Sequence, residues 1–318
     1  METESDEIQT AQICCVTRPT VISDQYTRTK VYMMPTLGLL LSLLVVALPP
    51  CSSLAANEVT RIACLGDSIT AGARVDAATH RRYRTPNMAK LAQSGMKFTQ
   101  AYACSVCSPT RVSLMTGLNA ARHRVTNWTL RKNASNDRKH PRLEFPTWNV
   151  NGLSPVAGIE RTVHAKALPA FLREAGYRTI HAGKAHFGAI GTPGSNPANV
   201  GFDRNIAGHA AGGPGSFLGT QNFSAVWRKG DPVWDVPGLD AYHGKDIFLT
   251  EALTLEANKA VDQAVADGRP FFLYMAHYAV HVPFAEDSRF YQKYRDSGLD
   301  HTESMYAAML EAVSYTHL

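Results

Sequence analysis

Three stretches of this sequence gather side chains that can do chemistry. In the first, Cys104-Ser-Val-Cys107 runs into Cys107-Ser-Pro-Thr-Arg-Val-Ser-Leu-Met-Thr-Gly117, a loop entering a helix with Arg111 one turn beyond Cys107. In the second, Ala182-Gly-Lys-Ala-His-Phe-Gly188, Lys184 and His186 stand two residues apart. In the third, the apolar run Phe271-Phe-Leu-Tyr-Met-Ala is followed by His277 and then by His281-Val-Pro283. A C-x-x-C spacing suggests a redox or metal pair. A zinc site needs two further ligands at suitable spacing, and no second C-x-x-C exists. The residues on the C-terminal side of Cys107 give the better account of it.

The elements that must position these groups alternate between strand and helix. Arg61–Leu65 reads as a short strand ending in Gly66-Asp67-Ser68. Thr85 is placed to cap a helix with Pro86 in its first position, and Gly95 stops it. Met96–Tyr102 reads as the next strand, residues 131–160 as a surface excursion, and Ala167–Ala175 as a helix closed by Gly176. Strand 177–182 then delivers Lys184 and His186. Residues 188–245 are rich in Gly and Pro and read as a long substrate-side loop. Helix 246–266 and the apolar strand 270–276 come next. Alternating strands and helices, with some strands wholly apolar, imply an α/β fold with a mainly parallel sheet covered on both faces.

The stretch from Cys107 to Gly117 resembles the signature Cys-x-Pro-x-Arg of the formylglycine-dependent sulfatases, arylsulfatase-like and of type I, and its Leu-x-Thr-Gly-like tail. Gly183-Lys-Ala-His186 and His281-Val-Pro283 resemble two further elements of that family, and the resemblance spans residues 83–312. It implies an alkaline-phosphatase-like sandwich, a large mixed sheet between helices, with the site at the strand C-terminal ends. It implies hydrolysis of an aryl or carbohydrate sulfate ester. Cys107 would be oxidised by a formylglycine-generating maturation enzyme, and the hydrated aldehyde would attack sulfur to form a covalent sulfo-enzyme intermediate. A second hydroxyl of the diol then expels sulfate, which a thiol could not do. The helix N-terminus would favour the diol and the sulfate, and Arg111 would add a cation. Lys184 would bind sulfate and diol, His186 would assist sulfate release, and His281 would protonate the leaving alcohol or contact sulfate. His277 is a lesser candidate.

Two departures from the family pattern carry expectations of their own. The family binds calcium (magnesium being the alternative) through paired aspartates after its first strand, where this sequence has the single Asp67. Asp67 and Cys107, as formylglycine, are thus the metal ligands expected, and an incomplete set, since Ca²⁺ takes six or more oxygens. The remaining ligands would lie past Leu318, which leads to the expectation of a truncated catalytic domain whose C-terminal part is missing. Val313–Leu318 reads as a foreign-looking tail departing from a helix over 305–312. Residues 58–80 resemble instead the first block of an SGNH (GDSL-type) esterase, with Ser68 as nucleophile and Asp240-Ala-Tyr-His243 as its activating pair. A sulfated-ligand binding module with a degenerate pocket is a further alternative. Trp227, Trp234 and His209, within the Gly-rich excursion, could shape a pocket for a sulfated sugar.

Bulk properties narrow the class. Thirty-two Lys and Arg against 27 Asp and Glu give a net charge of +5, spread along the chain, which disfavours nucleic acid and suits a small anionic substrate. Residues 1–30 read as an N-terminal extension from a mis-assigned start, and 31–55 as a signal peptide. Its apolar run Pro35–Pro49 follows Arg28 and Lys30 and precedes Ser53-Leu-Ala55. The expected location is therefore periplasmic or secreted, with no membrane contact after cleavage. Cys64, Cys104 and Cys107 would remain, an odd number that leaves at least one free thiol. The strand and turn with Gly-Asp-Ser then occupy 56–82, the catalytic domain 83–312 and the tail 313–318.

Overall fold

The computed structural model describes residues 12–16, 61–65, 82–93, 96–97, 102–137 and 141–316. The signal-peptide stretch, Asp67 and Ser68 lie outside them. In chain order the elements begin with β1 (Gln12–Val16), β2 (Arg61–Leu65), α1 (Pro86–Gln93), β3 (Met96–Lys97), α2 (Cys107–Thr116), α3 (Ala120–His123), β4 (Leu153–Ser154) and β5 (Val163–His164). They continue with α4 (Leu168–Glu174), β6 (Arg178–Gly183), α5 (Pro197–Val200), β7 (Arg204–Ile206), α6 (Leu249–Ala266), β8 (Phe271–Ala276), α7 (Tyr291–Asp296) and α8 (His301–Tyr315).

The sheet that carries the site has the order β7-β6-β8, all parallel. Strict alternation along its strands divides the core into two layers. Phe271, Leu273 and Met275 of β8 join Ile180 and Ala182 of β6 beneath α6, whose Leu249, Ala252, Leu253 and Ala257 form one buried stripe. Phe272 and Tyr274 turn to the opposite layer, with Val112 and Met115 of α2, Phe187 and Phe202. Burying a Leu or Phe side chain contributes roughly 1.5–3 kcal/mol, so both faces are held by ordinary apolar packing. Two further sheets are formed, a pair with β4 parallel to β5 and an antiparallel trio β2-β1-β3. The α/β fold with parallel strands covered on both faces is as expected, although each sheet has at most three strands among the described residues.

Residues 188–245 contain only short 3-10 turns besides α5 and β7, in keeping with their Gly and Pro content. The tail departs from expectation. Helix α8 does not stop at 312 but runs through Tyr315. Val313 and Ser314 are buried, and the Ser314 hydroxyl accepts hydrogen bonds from the backbone N–H groups of Asn87 (3.1 Å) and Met88 (3.4 Å). Those two donors belong to the first turn of α1, where no intrahelical acceptor is available. Packing, invisible in the local composition, keeps Val313–Tyr315 helical. No helix among the described residues is long and apolar enough to cross a membrane.

Candidate active site

The parallel sheet gathers the three chemical stretches at its C-terminal edge. Gly183 ends β6 with φ +102°, and a Cβ there would lie 2.0 Å from the Ala276 carbonyl oxygen at the end of β8. Glycine is therefore required for the two strand ends to close. The Lys184 N–H donates to that same Ala276 oxygen at 2.7 Å, so the loops bearing Lys184 and His277–His281 leave the sheet side by side.

Cys107 opens α2 behind Val106, which offers no capping side chain. The first N–H groups of the helix thus face the site without a side-chain acceptor, a suitable setting for an anion. Cys107 Sγ lies 3.3 Å from Nδ1 of His186, and both residues are buried. Arg111, also buried, donates from Nη1 to the Lys184 carbonyl at 2.6 Å and to the Tyr274 hydroxyl at 3.4 Å. Lys184 is 2% exposed. The thiol and one imidazole are thereby in contact, with the Arg111 guanidinium on the Lys184 backbone and the Lys184 side chain buried, in a setting where low polarity strengthens charge interactions. Ser108 and Thr129 hydroxyls meet at 3.3 Å beside the cysteine, fixing the 126–137 loop against α2.

His281 is held apart from the backbone of β8 by its own loop. Its Nδ1 donates to the Val282 carbonyl at 2.7 Å, so in the neutral ring Nε2 carries the lone pair. The loop at Gly212-Gly213 separates the two imidazoles: a Cβ on Gly212 would lie 2.4 Å from His186 Nδ1, and one on Gly213 would lie 2.6 Å from His281 Nδ1. These glycines carry no chemistry of their own, but their bare backbone is what lets it lie against both rings. Tyr278 ties the same parts together. Its hydroxyl donates to the Ala207 carbonyl at 2.8 Å and accepts from His209 Nδ1 at 2.9 Å. The His209 carbonyl accepts from the His186 N–H, and the Tyr278 carbonyl from the His281 N–H. Burial pushes the Tyr278 phenol up and the His209 imidazole down, favouring the neutral form of each.

Other candidates fall elsewhere. His277 Nε2 meets the Thr316 hydroxyl at 3.0 Å, at the end of α8. Cys104 Sγ lies 3.7 Å from the Ser113 hydroxyl, and Cys104 and Cys107 are free thiols, so the C-x-x-C pair is not joined. His243 and Asp240 are 4.0 Å apart, with the carboxylate 86% exposed, and Tyr242 between them packs into the α6 layer. A solvated carboxylate orients an imidazole poorly. Among the described residues no group of three or more His, Cys, Asp or Glu side chains is placed to hold a metal ion. The side chains of Cys107, Arg111, Lys184 and His186 include no carboxylate and so do not fit a calcium ion, which takes oxygen donors.

One buried histidine, read in the sequence only as part of a strand, sits directly beneath the site. His181 of β6 is paired across the sheet with Asn205 and Tyr274, is fully buried, and shares its Nδ1 with Asn205 Oδ1 at 3.2 Å. Burial, with the Arg111 charge beside it, lowers its pKa to about 3. The unfolded chain takes this proton as pH falls through about 6.5, whereas the folded chain refuses it until about 3, so folding stability is lost with falling pH across that window. Denaturant titrations at pH 7, 5 and 4 are expected to show His181→Phe gaining on the parent chain as pH falls. A difference between the two chains that did not change with pH would mean that His181 is not held neutral.

The same arrangement of segments has known relatives. The sulfatase family model matches residues 62–317. An uncharacterized sulfatase of Schizosaccharomyces pombe is 30% identical over 223 residues, 66% of this chain and 36% of that protein. N-acetylgalactosamine-6-sulfatase of Canis lupus familiaris is 30% identical over 210 residues, covering 63% of this chain and 35% of that one. Among solved structures, Ps i-CgsB in complex with k-i-k-neocarrahexaose is similar with a TM-score of 0.55 and 27% identity, over 75% of this chain and 49% of that one. The chain belongs to the sulfatase family. It spans about a third of the length of these curated relatives.

Proposed function

We propose that the chain supplies the nucleophile and the sulfate-binding groups of a sulfate-ester hydrolase. The observation that carries this reading is Cys107 at the uncapped start of α2, 3.3 Å from His186 and flanked by buried Arg111 and Lys184. Cys107 oxidised to formylglycine by a maturation enzyme supplies, as its hydrate, one hydroxyl to attack sulfur and another to expel sulfate. Arg111 and Lys184 bind the sulfate oxygens and offset the charge that builds on them in the transition state. His186, beside the reacting atom of residue 107, holds and moves the nucleophile's proton. His281, with Nδ1 committed to Val282, delivers a proton from Nε2 of its protonated ring to the departing alcohol. Calcium binding would need oxygen donors from outside the described residues, Asp67 among them. Export to the periplasm or medium, through residues 31–55, belongs to the same reading.

The test is to co-produce the chain with a formylglycine-generating enzyme and follow sulfate release from an aryl sulfate, with an aryl acetate in parallel. Sulfate release supports the reading. Acetate hydrolysis that disappears in Ser68→Ala would establish the esterase alternative. The same assay checks the spacer glycines. Gly213→Ala forces the His281 ring to move, and a displacement on the order of 1 Å costs roughly 10²-fold in rate, so kcat/KM is expected to fall by about that factor. A Gly213→Ala chain within twofold of the parent would show that the ring has room to spare.

A further inference from the structure

We propose that Asn205 is the positioning residue for both imidazoles of the site, acting through the glycine-rich backbone that lies against them. The kinetic consequences rest on the sulfate-ester reading. Asn205 is the central residue of β7 and is paired with His181 across the sheet. Its carboxamide closes on Gly208, three residues ahead: Nδ2 donates to the Gly208 carbonyl at 2.8 Å, and Oδ1 accepts the Gly208 N–H at 3.1 Å. One bond given to that residue and one taken from it fix which end of the amide is oxygen. With Oδ1 established as an acceptor, the 3.2 Å contact with His181 has one sense, in which Nδ1–H donates. Gly208 is pressed onto this pair, since a Cβ there would lie 2.5 Å from Asn205 Oδ1 and 2.5 Å from His181 Cε1. Strands β6 and β7 together thus grip residue 208 by hydrogen bonds and by close packing.

That grip sets where the following loop lies. Ala207, inside it, takes φ +62°, a left-handed conformation that a Cβ disfavours, so the turn leaving β7 relaxes unless it is tied. The Asn205 carboxamide ties it at Gly208, and the Tyr278 hydroxyl ties it at the Ala207 carbonyl, 2.8 Å away. Next after Gly208 is His209, whose carbonyl accepts the His186 N–H at 3.1 Å. Gly212 and Gly213 follow, with the His186 and His281 rings against their backbone. A loop released at residue 208 therefore carries both imidazoles out of place together. The cations are held by other means: Arg111 rides on α2 and donates to the Lys184 carbonyl, and the Lys184 N–H donates to Ala276 at the end of β8. Loss of the Asn205 carboxamide should thus damage proton transfer and spare anion binding, whereas a general loosening of the fold would weaken both.

The experiment uses the full chain, co-produced with a formylglycine-generating enzyme for kinetics and produced without it for spectroscopy. In Asn205→Ala, kcat for an aryl sulfate is expected to fall by about 10²-fold, the cost of displacing catalytic groups by on the order of 1 Å. Competitive inhibition by inorganic sulfate is expected to stay within about twofold of the parent. Gly208→Ala, which drives a methyl group into the same contact, should reproduce this split from the other side. Asn205→Asp keeps the acceptor and loses the donor, and should lie between the parent and Asn205→Ala. Ala264→Gly, buried near the end of α6 that leads into β8 and so toward the opposite edge of the sheet, weakens folding and should leave kcat unchanged. In the chain that has not been matured, carrying isotopically labelled histidine, the ring resonances of both His186 and His281 are expected to shift in Asn205→Ala. A kcat within about twofold of the parent, or equal losses in kcat and in sulfate affinity, overturns the positioning role, as do ring resonances that stay in place. A parent that releases no sulfate overturns the sulfate-ester reading, and the resonances then decide alone: both moved supports the role of Asn205, and unmoved refutes it.

Discussion

Replacing Cys107 with alanine is expected to lower sulfate-ester hydrolysis by about 10⁴-fold or more, the scale on which covalent mechanisms lose rate when the nucleophile is removed. The structure gives reason to expect the loss to be chemical and not conformational. Residue 107 is the first residue of α2, where alanine is an excellent helix former. The partners forfeited are the 3.3 Å contact with His186 and a small amount of buried surface. A cost near 1 kcal/mol corresponds to a melting temperature lower by roughly 2–4 °C. Inorganic sulfate should still bind, since Arg111, Lys184 and the α2 N-terminus are untouched. Steady-state kinetics together with calorimetric melting check the pair of outcomes. Hydrolysis that survives in Cys107→Ala would remove the cysteine from the mechanism altogether.

Arg111→Met should fail in two ways at once. In the proposed mechanism the guanidinium offsets sulfate charge as it builds, and losing one such donor from a buried site costs on the order of 10²–10³ in kcat. The same side chain satisfies the Lys184 carbonyl at 2.6 Å, inside a region closed to solvent. An orphaned buried acceptor costs roughly 1–3 kcal/mol, so the variant should also be measurably less stable in denaturant. Arg111→Lys is not expected to restore either property, because an ammonium on a flexible stem lacks the planar fork that serves Lys184 and Tyr274 together. Full stability in Arg111→Met would show that Lys184 finds another donor. Full activity would mean that Arg111 does not act on the transition state.

The groups most readily legible in the sequence are those whose neighbours in space are also neighbours in the chain. Cys107 and Arg111 are one helical turn apart, and Lys184 and His186 leave the same strand, so each pair falls within one short motif on which the family resemblance can act. Gly212, Gly213 and Tyr278 are not legible in this way, because their role exists only between segments about 70 residues or less apart that the sheet brings together. Their one signal is composition, the run Gly212-Gly213-Pro-Gly215 inside a stretch already irregular by its Gly and Pro content. His181 is visible as a strand residue, yet its neutrality depends on Arg111 and on complete burial, which no window of sequence contains. The end of α8 is hidden for the same reason: nothing near Val313–Tyr315 in the chain announces Asn87 and Met88 as hydrogen-bond donors.

The join between α8 and α1 also bears on the order of events at the ribosome. The Ser314 hydroxyl meets the Asn87 amide across 227 residues of sequence, so the first turn of α1 stays incomplete until almost everything between has been synthesised and released from the exit tunnel. Contacts of such long separation form late and slowly. During that interval the Cys107 segment, close behind α1 in the chain, is still without its eventual packing partners Phe272 and Tyr274 on β8, and under the maturation proposed above this is when an enzyme would reach the thiol.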